Sequence, residues 1–116
     1  MANLIESSFN VNIPDVGTAV TLCIPVTPAN KGKITRITTC LGAAISGADS
    51  KVVVSRNATV LGTITIANSS SAAGDIDYLD VFAASTDLVV GDFITVANGG
   101  ESTGTATGVI TFDLKR

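Results

Sequence analysis

Apolar residues recur at every second position through most of this chain, and a period of two commits a sequence to half-buried β-strands. Phe9, Val11 and Ile13 alternate with Asn10 and Asn12 until Pro14-Asp15-Val16-Gly17 breaks the run. Val20, Leu22, Ile24 and Val26 then alternate with Thr21, Cys23, Pro25 and Thr27. Pro25 has no N–H to give a ladder, which marks this strand as an edge or places it beside a bulge. Pro28-Ala29-Asn30-Lys31-Gly32 turns the chain, with proline fixing φ and Asn and Gly tolerating positive φ.

The middle of the chain is less regular. Ile34 and Ile37 differ in parity, so the strand from Lys33 to about Ile45 needs a bulge or burial on both faces. After a turn at Ser46–Ser50, three consecutive valines at 52–54 predict a short strand buried on both faces. Alternation assigns Val60, Gly62, Ile64 and Ile66 to one face and Leu61, Thr63 and Thr65 to the other. Asn68 to Gly74 is a loop of small residues, expected to be exposed and flexible. Ile76 to Phe82 predicts a strand, and Ala83–Asp87 fits either a helical turn or a loop. Phe93–Val96 follows Gly91-Asp92, Asn98–Gly104 is a loop, and Val109–Leu114 closes the chain with Ile110, Phe112 and Leu114 inward.

About eight short strands at this spacing, with no amphipathic helix, predict an all-β domain. The expected form is an antiparallel sandwich with jelly-roll or Greek-key connections, or a squat barrel. At 116 residues the chain has room for one such domain, residues 1–116. Leu4 and Ile5 are adjacent and apolar ahead of the first alternating residue, Phe9. They fit no single-face strand, so residues 1–8 are expected to form an attachment arm, with Leu4, Ile5 and Phe9 as its contact residues.

Composition bears on partners. Charged residues are 15% of the chain, against roughly 25% in an ordinary soluble domain, while hydrophobic residues are 46%. No run approaches the ~18 consecutive apolar residues of a membrane span, so no membrane partner is expected. A chain so poor in charge is expected to cover part of its surface with another protein, including further copies of itself. A net charge of −3 and seven scattered basic residues offer no patch for phosphates, which argues against nucleic acid. The segment Met1–Ser8 has neither a cationic nor an apolar region, so export by a signal peptide is not expected, and the sequons at Asn57 and Asn68 are taken as chance. Cys23 and Cys40 are expected to be free thiols. In a hairpin turning at Pro28–Gly32, Cys23 would face a residue near Ile37, not Cys40.

Catalytic machinery is missing from the sequence. There is no histidine to act as acid or base near neutral pH, and no Gly-x-Ser-x-Gly elbow. Gly99-Gly100-Glu101-Ser102-Thr103-Gly104 lacks the Gly-Lys-Ser/Thr ending of a phosphate cradle. Asp75, Asp77 and Asp80 could in principle give oxygen ligands to Ca²⁺, but their spacing is not that of a calcium loop, and alternation sends Asp77 and Asp80 to opposite faces. They are read as a solvated acidic strand start, with no cofactor. Sugar recognition would draw on aromatic platforms, and the chain has no tryptophan and one tyrosine, Tyr78. The expectation is a protein that is not an enzyme.

Several segments carry a resemblance. Lys33-Ile34-Thr35-Arg36-Ile37 followed by Ala43–Asp49 and the valines at 52–54, Gly62–Ile66 running into its Ser/Ala/Gly loop, and Leu88–Val96 with the final Val109–Phe112 together resemble small decoration, or cement, proteins of tailed-bacteriophage heads. The likeness spans roughly residues 30 to 116 and is one of pattern. It implies a virion structural protein, made in the host cytoplasm and bound to the capsid surface. Its partner would be the major capsid protein, and it would stand as a homotrimer at three-fold positions. A head-fibre or tail component, or a carbohydrate-binding or adhesin-type β-sandwich, are the alternatives.

Overall fold

Every element among the described residues is a β-strand, as period-two patterning without a helical apolar stripe requires. The computed structural model describes residues 6–99, 102 and 106–115. In chain order the strands are β1 (Glu6–Ile13), β2 (Val20–Pro25), β3 (Gly32–Leu41), β4 (Ser50–Arg56) and β5 (Thr59–Ile66), then β6 (Ile76–Leu79), β7 (Asp87–Leu88), β8 (Phe93–Asn98) and β9 (Gly108–Lys115). They form two antiparallel sheets. The first runs β1-β9-β3-β6, with the two-residue β7 also paired to β3, and the second runs β2-β8-β4-β5. This four-and-four order is that of a jelly-roll sandwich.

The core lies between the sheets and is built from the inward half of each alternation. Ile110, Phe112 and Leu114 of β9 meet Ile34, Ile37 and Leu41 of β3 in one layer. Val52, Val54, Leu61, Ile64, Ile66, Ile94 and Val96 supply the other. Phe112 is the largest fully buried side chain. The β3 strand needs its bulge, and the register against β9 shifts between Ile34 and Arg36, so both isoleucines point inward.

One flank of the sandwich is closed. There β5 and β6 pack edge against edge, and the Leu79 side chain lies on Gly62, where a Cβ would stand 2.5 Å from its Cδ2. The opposite flank, between β1 and β2, is bridged at one end by the loop after β1. The Asn98 side-chain amide donates to the carbonyls of Val16 at 2.7 Å and Thr18 at 2.8 Å. Ser50 Oγ donates to the same Val16 oxygen at 3.0 Å.

Several expectations are corrected. The turn at Pro28–Gly32 does not make a hairpin: β2 pairs with β8 and β3 with β9, in different sheets. The valine run is buried on one face only, because the sheet is antiparallel and Val53 points outward. In β5, Leu61 is the buried residue and Val60 is 49% exposed. A register shift between Val54 and Ser55 opposite it moves the inward set to Leu61, Ile64 and Ile66. The small-residue loop 68–74 is largely exposed, as expected, and is anchored at Ser71, whose Oγ donates to Ile45 O at 2.8 Å and accepts from Ile45 N at 2.9 Å. β6 stops at Leu79, short of Phe82, and Ala83–Thr86 is a loop. Of the expected arm, Glu6, Ser7 and Ser8 belong to the first strand and pair with Lys115, Leu114 and Asp113, while residues 1–5 lie outside the described residues.

Candidate functional site

A sandwich has two outer faces, and here their chemistry differs. The outward side chains of the first sheet include Glu6, Lys33, Arg36, Asp87, Asp113 and Lys115, with Asp80 just past β6. Four of these charges form two ion pairs. Arg36 bridges Asp80 at 3.8 Å, and its guanidinium sits 4.2 Å from the centre of the Tyr78 ring. Lys115 bridges Glu6 at 3.9 Å. Exposed pairs of this kind contribute about 0–1 kcal/mol each. Their main effect is to keep the face hydrated.

The outer face of the second sheet is assembled from four strands whose outward halves carry one charge between them. One rung reads Thr21, Ala97, Val53 and Thr63 across β2, β8, β4 and β5. The next reads Cys23, Thr95, Ser55 and Val60, and Pro25 pairs with Phe93 at one end. Lys51, opposite Thr65 at the other end, is its single charged residue. Phe93 is 41% exposed. β-branched and small side chains on a pleated surface make it flat and stiff, with little rotamer freedom left to lose.

The Phe93 end of this face is held in place by Asn57. Asn57 and Ala58 form the two-residue turn between β4 and β5, at φ of 56° and 112°. Asn57 Nδ2 donates to Asp92 at 2.8 Å, and its Oδ1 accepts from Phe93 N at 2.9 Å. The Asn57 hydrogen bond, that from Val89 N and the Arg56 charge hold the Asp92 carboxyl below the usual carboxylate range.

The residues singled out from the sequence are spread out. Asp75 accepts from Ala72 N at 2.9 Å within its own turn. Asp77 lies opposite the buried Thr39 on the inward parity of β6, and burial followed by the charges of Asp75 and Asp49 raises its pKa. Asp80 points outward to Arg36. Among the described residues, no three His, Cys, Asp or Glu side chains come together as a metal site. Phe9 is half-buried, stacked on Phe112, and Leu4 and Ile5 lie outside the described residues. Cys23 and Cys40 are free and exposed, on β2 and β3 of different sheets.

The charge-poor face was missed in the sequence. Its signal was present in the polar half of each alternation, which in β2, β5 and β8 contains Thr, Ala and Cys and no ion. What was lacking was the pairing that places these strands side by side.

No protein-family model matches this chain, and no curated protein matches it. Among solved structures it is similar to the catalytic unit of a thermostable GH87 α-1,3-glucanase from Streptomyces thermodiastaticus strain HF3-3. That likeness has a TM-score of 0.49 and 16% identity over 98% of this chain and 26% of that one. It is also similar to the carbohydrate-binding module CBM36 in complex with calcium and xylotriose, with a TM-score of 0.45 and 12% identity over 99% and 100% of the two chains. The chain spans about a quarter of the glucanase unit. At these values neither likeness carries a substrate or an ion across to this chain.

Proposed function

We propose that this β-sandwich is a non-catalytic structural subunit of a viral particle, which lays the outer face of its second sheet against the coat-protein shell and turns its charged first sheet to solvent. The observation that supports this reading is the one-sided distribution of charge. Interface centres are depleted of charged residues, because each ion buried there must be stripped of water. The Thr/Ala/Val/Ser face can dock with the loss of few strong hydration shells, and the ions of the first sheet would keep a decorated particle soluble. The resemblance to decoration proteins points the same way and adds the identity of the shell.

Cosedimentation with empty shells of the source virus tests this. Saturable binding at a fixed number of copies per shell is the expected result. Failure to bind shells, together with retardation in gels cast with xylan or α-1,3-glucan, would replace the particle role with a carbohydrate-binding one.

A further inference from the structure

Of the four sheet edges among the described residues, three carry something that blocks strand addition. β6 is four residues long and packs on β5. The edge of β5 is occupied where Ala83 N donates to Leu61 O at 2.9 Å. β2 ends on Pro25, which has no N–H. β1 differs. Its eight residues, Glu6–Ile13, contain no lysine and no proline, and its register with β9 is unbroken. Among the described residues, no backbone hydrogen bond reaches it from any segment but β9. Natural sheets usually guard such an edge or cover it.

The side chains at this edge are also short of partners. Phe9 and Val11 on β1, and Leu22 and Ile24 on β2 across the open flank, face the core yet are only half-buried. Ser7 Oγ is buried without a hydrogen-bond partner. Backbone and side chains thus leave the same strip unfinished.

We infer that β1 is a self-association edge, which pairs antiparallel with β1 of a second copy about a two-fold axis through Asn10. Charge selects this occupant. Glu6 is the only charged residue on β1 and β2, and in this register it falls opposite Pro14 of the other copy, so no like charges meet. Phe9 of one copy faces Val11 of the other on the core side, and Asn10 faces Asn10 outside. Cross-strand pairs of both kinds are favourable. The contact is isologous and closes at two copies. β1 is ~27 Å long at ~3.4 Å per residue and the layers are ~10 Å apart, so the flank presents on the order of 300 Å² per copy. A standard specific interface takes about 800 Å² from each partner, so the dimer is weak and concentration-dependent. It leaves the outer face of the second sheet free, and it would link neighbouring subunits on a crowded surface.

Cysteine scanning tests the register in the full chain carrying Cys23→Ser and Cys40→Ser. Ser8→Cys, Asn10→Cys and Asn12→Cys all lie on the exposed outer side of β1, where folding is undisturbed. Facing Cα atoms in such a pair are ~4.5–5.5 Å apart, within disulfide range. In a glutathione buffer at ~500 μM protein, Asn10→Cys should cross-link at least tenfold faster than the other two. Equal rates at all three, or a maximum at Ser8 or Asn12, would overturn the inference. Sedimentation equilibrium should show the mass rising from 11.7 kDa toward twice that value between ~10 and ~500 μM, and Val11→Lys should abolish the rise. A constant 11.7 kDa, or a species at three times that mass, would also overturn it.

Discussion

The Phe9 ring lies on the Phe112 ring, with centroids 4.8 Å apart and planes 12° from parallel. Phe112 is fully buried and Phe9 half-buried, so the stack runs from the centre of the core to the open flank. It joins β9, which is paired on both sides, to β1, which is paired on one.

Stability should therefore fall steeply along this stack. Phe112→Ala is expected to cost about 3–5 kcal/mol, a large part of a small domain's stability. Phe9→Ala should cost less, because Phe9 has already kept part of its surface in water. Thr111→Ala, on the outer side of β9, should cost under about 1 kcal/mol. Urea denaturation of the three variants checks this order, and a greater loss at Thr111 would place β9 one residue out of register.

The β4–β5 turn holds stored strain. Ala58 sits at a φ of 112°, a region that favours glycine. Asn-Gly is the favoured pair for a two-residue turn in which both φ values are positive. Ala58→Gly should stabilise the protein by about 1 kcal/mol, read as a higher urea midpoint at unchanged slope. A lower midpoint would show that the turn is not strained at Ala58.

How much of this was legible in the sequence depended on range. The inward set of β9 and the need for a bulge in β3 were plain from local alternation, since each residue's face follows from its neighbours. Leu61 was placed on the wrong face because the register shift that moves it lies in the pairing with β4 and leaves no mark on β5 itself. The turn after β2 looks like a hairpin, yet the chain there crosses between layers. Proline, Asn and Gly specify a reversal and say nothing of which sheet receives the next strand. The charge-poor face needed β2, β4, β5 and β8 to be placed together, and no local pattern does that. Asp75, Asp77 and Asp80 were grouped by spacing alone, whereas Arg36, distant in sequence, takes Asp80 away.

Asp77 should make stability depend on pH. Its folded-state pKa is raised by burial, then by Asp75 and Asp49, so ionisation disfavours the folded state. The penalty is absent below the unfolded value of about 3.9 and grows as pH rises through the folded value. Asp77→Asn should therefore stabilise the protein at pH 7, with the gain vanishing near pH 3. Melting curves at the two pH values check this, and a loss of stability at pH 7 would contradict it.

The two thiols give a label for each face. Both should react with a maleimide in the folded protein, one on each sheet. Singly labelled protein carrying Cys40→Ser, and thus modified at Cys23 on the second sheet, should lose shell binding. Protein carrying Cys23→Ser and modified at Cys40 should keep it. Equal binding by the two would separate docking from the second sheet.

The most direct measurement is shell cosedimentation of two charge variants that leave the core untouched. Thr21→Lys with Thr63→Lys adds two ions to the outer rung of the second sheet, and Cys40→Lys with Ile76→Lys adds two to the first. All four residues are exposed, so both proteins should melt close to the wild type. The docking account predicts at least a tenfold loss of shell affinity, about 1.4 kcal/mol, for the second-sheet variant and under twofold for the first-sheet variant. Undiminished binding by Thr21→Lys with Thr63→Lys, or a greater loss from the first-sheet pair, would contradict it.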